Sequence, residues 1–389
     1  MSPSPLQQEM KDRISMARMI CVLGMIFVHV PDGLTHSPNY SFNAGNLGFF
    51  LEGLLVEGPG RASAALLSVV SGYLAAFALM RSQASVISLY RRRFVSIVLP
   101  MIFWGIVTYV VYLLVSQARP TFVSDAQSWL DTLNIIFFIT EMPVGATMHL
   151  GFLRDLFVCI LLAPVLLPAV QRMPWVLLGL LCLFYLFEHN QASIIILRPL
   201  VLFAFTIGLT LAVRNVSLTR LDHYCPLFIV FAVASTVAIL LVNGGAAETV
   251  VAYFESMGMA FDETVLYPIG RLCGSLAIWT YLPVLMGGAF QKWVLRHSPY
   301  LFAAFCSHYL MLTILFFAGW LPLFGDRESD IFIVWFLAAP IVSMGVAVAL
   351  VQAALKVAPP LATLITGGRV SSPSKSFAPM AQRRSESIA

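Results

Sequence analysis

Apolar stretches of about twenty residues recur along this chain, separated by short polar, proline-marked or glycine-marked breaks. A helix needs about 20 mostly apolar residues to cross the hydrocarbon of a bilayer. Ten stretches meet or approach that length, at about 14–32, 62–80, 94–116, 150–170, 174–188, 194–213, 225–243, 268–290, 299–320 and 331–355. The fifth is short, and Pro174 marks its start. The segment 129–140 (WLDTLNIIFFIT) is too short and too polar to span and predicts an interfacial or re-entrant piece. The first run is long enough to stay in the membrane, and His29-Val30-Pro31-Asp32 does not resemble a small-residue cleavage site. It predicts a first transmembrane helix. The pattern as a whole predicts an all-α fold, a polytopic membrane helical bundle with about ten transmembrane helices.

Composition narrows the class. Of 389 residues, 59% are apolar and 11% charged, against about 45–50% and about 25% in soluble domains. That excludes a string of water-soluble domains. The charges then orient the bundle. With the N-terminus in the cytoplasm, the inside loops hold Lys11, Arg13, Arg81, Arg91, Arg92, Arg93, Arg172, Arg214, Arg220, Lys292 and Arg296. The outside loops hold acids, among them Asp32, Glu57, Asp125, Glu141, Glu188, Glu248, Asp262 and Asp326. This follows the positive-inside rule and predicts an even helix count with both termini cytoplasmic. Three regions are expected: a cytoplasmic N-terminal segment at 1–13, a membrane domain at 14–355 and a disordered, Ser-, Pro- and Arg-rich cytoplasmic tail at 356–389. The six cysteines form no CxxC pair and read as buried thiols, so no metal site is expected. No nucleic-acid partner is expected.

Candidate chemistry follows from ionisable groups inside apolar segments, where they are costly and tend to face a protein interior or a watery cavity. Arg18 and His29 are separated by ten residues of the first segment. Eleven steps of 100° make about three turns, so they share a helix face, about 16 Å apart along the axis. A neutral imidazole at 29 can serve as a general base. The plainer reading is an interfacial histidine with an ordinary hydrogen bond. Asp32, at i+3, is placed to orient the ring if the helix continues through Pro31. Arg91, Arg92 and Arg93 read either as an anchor at the lipid headgroups or as a phosphate-binding set for a nucleotide-like donor. Ser71-Gly72-Tyr73 lies mid-helix, where small residues serve close packing. His149 stands at the mouth of the fourth helix, with Arg154 and Asp155 a turn further in as a candidate mutual neutraliser. Arg61, Arg198 and Arg271 fall near the outer ends of their helices, against the general trend, and predict a cationic vestibule for an anionic polymer or acyl group. His308 lies within the ninth segment.

In combination these residues resemble the acyltransferase-3 family of integral membrane acyltransferases. Arg18 and His29 match its Arg, ten residues, His opening, and Ser71-Gly72-Tyr73 its Ser-Gly-Phe/Tyr. Arg91–Arg93 through Pro100 match an Arg-rich run leading to a proline. His149-Leu-Gly-Phe-Leu153 matches His-Leu-Trp-Phe-Leu with Gly151 in place of the tryptophan, and Phe305-Cys-Ser-His308 matches a late Tyr/Phe-x-x-His loosely. The resemblance covers about residues 10–355, and within the family the chain is most similar to bacterial inner-membrane succinyltransferases of succinoglycan-type exopolysaccharide.

The resemblance implies O-acyl transfer from cytoplasmic acyl-CoA, succinyl-CoA or acetyl-CoA, to a sugar hydroxyl of an exopolysaccharide or a lipid-linked oligosaccharide. No permanently bound cofactor is implied, and polysaccharide assembly proteins are candidate partners. It makes His29 the catalytic base and places Arg18 and Arg91–Arg93 on the donor side. Asp32, Arg61, Tyr73, His149, Arg154, Asp155, Arg198, Arg271 and His308 become candidates for holding acceptor or acyl group. The same polar groups also fit a glycan or small-anion transporter, or a non-catalytic scaffold.

Overall fold

Hydrocarbon offers no partner to backbone amides, so apolar stretches of spanning length fold as helices. The computed structural model bears this out over the residues it describes, 5–30, 47–81, 86–118, 129–137, 147–187, 197–242, 256, 265–325 and 331–370, where all regular structure is helical. The chain opens with α1 (Pro5–Val28), then α2 (Leu47–Leu55) and α3 (Arg61–Arg81), joined by a π-helical turn at Val56–Gly60. A second such turn, Phe94–Val98, joins α4 (Val86–Arg93) to α5 (Leu99–Ala118). Next come α6 (Trp129–Phe137), α7 (Gly151–Arg172), α8 (Pro174–Phe187), α9 (Pro199–Val213) and α10 (Cys225–Leu241). The last part holds α11 (Leu266–Leu285), α12 (Ala289–His297), α13 (Leu301–Leu315), α14 (Leu321–Phe324), α15 (Phe332–Val357) and α16 (Pro359–Ile365).

Six continuous stretches are long and apolar enough to cross a membrane: Phe50–Met80, Val86–Val111, Gly151–Arg172, Arg220–Leu241, Ala289–Phe324 and Phe332–Val357. The other four predicted stretches correspond to α1, α8, α9 and α11. The chain is thus an all-α, multi-pass membrane protein. Helix α6, nine residues long, is too short to span, as expected, and its Thr132 hydroxyl lies 3.1 Å from Tyr109 Oη of α5.

Two helices carry the interior. On α1, Arg13, Met16, Ala17, Met19, Cys21 and Ile26 are essentially inaccessible, so this helix is walled in by α3, α11, α13 and α15. On α13, nearly every residue from Leu301 to Leu310 is buried. The tightest crossing is α3 against α9, where two glycines let backbones touch. A Cβ at Gly72 would fall 1.9 Å from the Phe205 carbonyl oxygen, and one at Gly208 would fall 2.0 Å from that of Val69. A methyl group at either position must displace a backbone, overpacking that costs about 1–3 kcal/mol or more. Ser71-Gly72-Tyr73 therefore serves helix packing.

The loops that the charge pattern puts on one side meet at one end of the bundle. Arg13 donates two bonds to the Asp222 carboxylate and one to Trp279 O at 2.8 Å, with its guanidinium 4.4 Å from the Trp279 ring. Gln291 Nε2 donates to Asp12 Oδ2 at 3.1 Å.

Here the structure corrects an expectation. Residues 356–370 are not a disordered tail. Helix α15 runs to Val357, and α16 packs beside α5, burying Ala362 and Ile365 and receiving a 3.5 Å bond from Trp104 Nε1 at Ile365 O. Two apolar positions three apart give even this short helix a buried stripe. The Ser-, Pro- and Arg-rich composition belongs to residues beyond 370, which lie outside the described residues.

Candidate functional site

The buried helices α1 and α13 carry their titratable groups to one place. His29, at the end of α1, has its ring centroid 5.5 Å from that of His308 on α13 and 6.1 Å from that of His149. His149 and His308 are 4.7 Å apart. Tyr309 completes the group, stacked on His149 at 5.8 Å and edge-on to His29 at 6.1 Å. His149 reaches this point because a 3-10 turn, Met148–Leu150, leads into α7.

The hydrogen bonds of two rings fix their tautomers. His149 Nε2–H donates to Cys306 O at 3.0 Å, and His308 Nδ1–H donates to Phe305 O at 2.6 Å. A carbonyl can only accept, so in each neutral ring the opposite nitrogen keeps its lone pair. Those nitrogens, His149 Nδ1 and His308 Nε2, are buried without a partner among the described residues. Burial pushes the His149 pKa down to about 4, the Cys306 carbonyl opposing the shift. The ring is therefore neutral at pH 7. Buried, neutral imidazoles with bare nitrogens have the chemistry of hydroxyl deprotonation.

The other end of α1 is built of charge. Arg18 is exposed although its chain neighbours Ala17 and Met19 are fully buried. Its side chain thus stays accessible on a helix otherwise packed among others. Arg93 is near enough to act on Arg18 electrostatically. Three consecutive helical positions cannot share a face, since each turns the side chain by about 100°. The structure shows this split. Arg93 is half-buried within electrostatic reach of Arg18, while Arg91 and Arg92 are exposed and line an open surface hollow of about 560 Å³ with Ser88 and Val95.

Helix α1 thus links a histidine cluster at one end to a group of arginines at the other. The acyltransferase-3 model, described as an acyltransferase domain, matches residues 11–352. The chain belongs to the acyltransferase-3 family. It is similar to the succinoglycan biosynthesis protein ExoH of Rhizobium meliloti (strain 1021), 27% identical over 369 residues and covering 92% of each chain. No solved structure matches it.

The remaining arginines of the acyltransferase form two groups. Arg154 Nε and Nη2 donate to Asp155 Oδ1 at 2.9 and 2.7 Å, and Arg198 Nε donates to Asp155 Oδ2 at 2.5 Å. Asp155 is fully buried, and Arg198 Nη2 is buried without a bond among the described residues. In the second group Arg61 Nε donates to Glu57 at 2.7 Å, and Arg271 lies near Arg61, Glu57 and Tyr185. Among the described residues, Arg154 and Arg198 share the Asp155 carboxylate, and Arg61 and Arg271 gather at Glu57. The arginines expected as a vestibule thus lie in two groups, each in contact with a carboxylate.

Tyr73 sits at the α3–α9 crossing, 4.8 Å edge-on from Phe77. Asp32 lies outside the described residues. Reading the sequence missed Tyr309, Glu57 and Arg369. Tyr309 had a signal in its adjacency to His308, which puts both on the buried helix α13. Glu57 had one in its i, i+4 spacing from Arg61.

Proposed function

We propose that this acyltransferase is an O-acyltransferase of the bacterial inner membrane, with both termini cytoplasmic, that moves a succinyl group from cytoplasmic succinyl-CoA to a sugar hydroxyl of an exopolysaccharide or its lipid-linked precursor. The observation that carries the reading is the pairing on α1 of accessible guanidiniums with a histidine cluster about three helical turns away. An acyl-CoA presents phosphates at one end and a thioester at the other, which suits that polarity. His29 takes the hydroxyl proton, the hydroxyl oxygen attacks the thioester carbonyl, and the CoA thiolate leaves. The bare nitrogens of His149 and His308 supply acceptors that orient the hydroxyl and relay its proton. Arg18 and Arg93 hold the donor's phosphates.

Succinyl is preferred over acetyl because a succinyl group keeps a free carboxylate. Arg198 supplies a partner, its buried Nη2 being able to donate to that carboxylate. The relation to a succinoglycan biosynthesis protein supports an exopolysaccharide as acceptor.

The test is transfer of label from succinyl-CoA and acetyl-CoA, supplied separately, to exopolysaccharide by the purified protein in nanodiscs. Succinyl transfer several-fold faster than acetyl transfer is expected. Preference for acetyl-CoA overturns the succinyl assignment. Absence of transfer from either donor overturns the enzyme's proposed reaction.

A further inference from the structure

Interior arginines in this protein follow a rule with three exceptions. Arg13 bonds Asp222, Arg61 bonds Glu57, and both Arg154 and Arg198 bond Asp155. Arg271 lies beside Glu57. Arg18, Arg93 and Arg369 have no carboxylate partner among the described residues; Arg93 acts on both Arg18 and Arg369, Arg18 acts on Arg369, and Arg92 acts on Arg93.

Arg369 reaches this group through a specific piece of local structure. Helix α16 ends in a double hydrogen bond, Gly368 N to Thr363 O at 2.7 Å and Gly367 N to Leu364 O at 3.0 Å. This is the Schellman arrangement, which needs a left-handed residue just past the helix. Gly367 supplies it with φ +60°, and Gly368 follows at φ +78°. A Cβ at Gly367 would also meet Ser96 O at 2.4 Å. The glycines thus let the chain turn flush against the π-helical turn that follows Arg93.

The turn leaves the Arg369 guanidinium 3.9 Å from the Phe302 ring centroid on α13. Nη1 donates to Thr366 O at 2.9 Å and Ser96 O at 3.3 Å. Nε and Nη2 make no further bond among the described residues. The side chain has open surface yet is surrounded by protein. That crowding, with the charges of Arg18 and Arg93, lowers its pKa to about 10, so it is charged at pH 7. Phe302 lies six residues before His308 on α13, about 9 Å along the axis. Arg369 is therefore seated against α13 within electrostatic reach of Arg18 on α1.

We propose that Arg369 completes, with Arg18 and Arg93, a three-guanidinium site that binds phosphate groups of the acyl donor, so that the C-terminal turn is part of the donor site. Three like charges held together without a carboxylate are relieved by an anion that bridges them, and arginine forks match phosphate oxygens. The proposal rests on the acyl-CoA reading above. A membrane phospholipid headgroup presents the same phosphate chemistry from a different source.

The test is CoA binding to the full-length protein by titration calorimetry, in phosphatidylcholine nanodiscs with and without phosphatidylglycerol. Arg369→Gln is expected to weaken CoA binding at least tenfold in both lipids, and Arg369→Lys to restore part of it. Inorganic pyrophosphate is expected to compete with CoA in the wild type. A wild type that does not bind CoA overturns the donor reading itself. Wild-type CoA affinity in a folded Arg369→Gln protein overturns only this site. An effect seen solely when phosphatidylglycerol is present assigns Arg369 to lipid headgroups and overturns it too. If the glutamine variant unfolds, the lysine variant decides, because loss of the fork alone must weaken CoA binding severalfold and unchanged affinity overturns the site.

Discussion

The two ends of α1 handle polar groups by opposite rules. Beside the half-buried His29, the rings of His149 and His308 are buried and held by backbone carbonyls, and each keeps a nitrogen without a partner among the described residues. Around Arg18 the side chains are exposed or half-exposed, and their charged neighbours are arginines. A base in a dry site does its work uncharged, because burial penalises the protonated form. Guanidiniums cannot shed their charge, so a group of them is sustainable only where water or an anion reaches it. One end is thus suited to a proton moved during the reaction, and the other to an anion held before, during and after it. Interactions made only in the transition state appear in kcat, and interactions held throughout appear in KM.

That division can be broken by experiment. His29→Ala is expected to lower kcat by about 10²–10⁴-fold, the range for removal of a general base, with donor KM changed little. Steady-state kinetics across donor concentrations checks this, and a loss carried mainly by donor KM would place His29 on the binding side. Next in size, Arg18→Gln is expected to raise donor KM about tenfold or more, as for a charge-assisted hydrogen bond of about 1.5–3 kcal/mol, with kcat retained. A smaller effect separates neighbours in sequence. Arg93→Gln should raise donor KM severalfold, whereas Arg91→Gln should leave it near the wild-type value. Equal effects of the two would show that the run acts as one patch of charge and that the facing seen in the structure does not govern donor binding.

These contrasts also mark what the sequence made legible. The ten apolar stretches all correspond to helices because hydrocarbon leaves the backbone no alternative. The shared face of Arg18 and His29 follows from helical periodicity. His149 and His308 were visible as single groups, but their convergence on His29 depends on how α1, α7 and α13 pack, which no local pattern encodes. The Arg91–Arg93 run looked like one feature and resolves into an inward residue and two outward ones. Arg369 was hidden by composition. Its neighbours Gly367 and Gly368 read as loop residues, and only their positive φ angles and the approach to Ser96 show that they dock the chain.

The smallest expected effect concerns the dry end alone. The His149 pKa is about 4 in the folded protein, against about 6.5 for a histidine in an unfolded chain. Between those values the unfolded chain binds more protons, so stability rises with pH across that window and falls as pH drops from about 6.5 towards 4. His149→Gln removes this contribution while keeping a group able to donate to Cys306 O. Thermal unfolding midpoints in detergent, measured from pH 7 to pH 4, should therefore fall less in the variant than in the wild type, with the two curves converging as pH decreases. Parallel curves would mean that water reaches His149 and that its ring is not held neutral by burial. The contrast between the two ends of α1 would then rest on the carbonyl bonds to His149 and His308 alone.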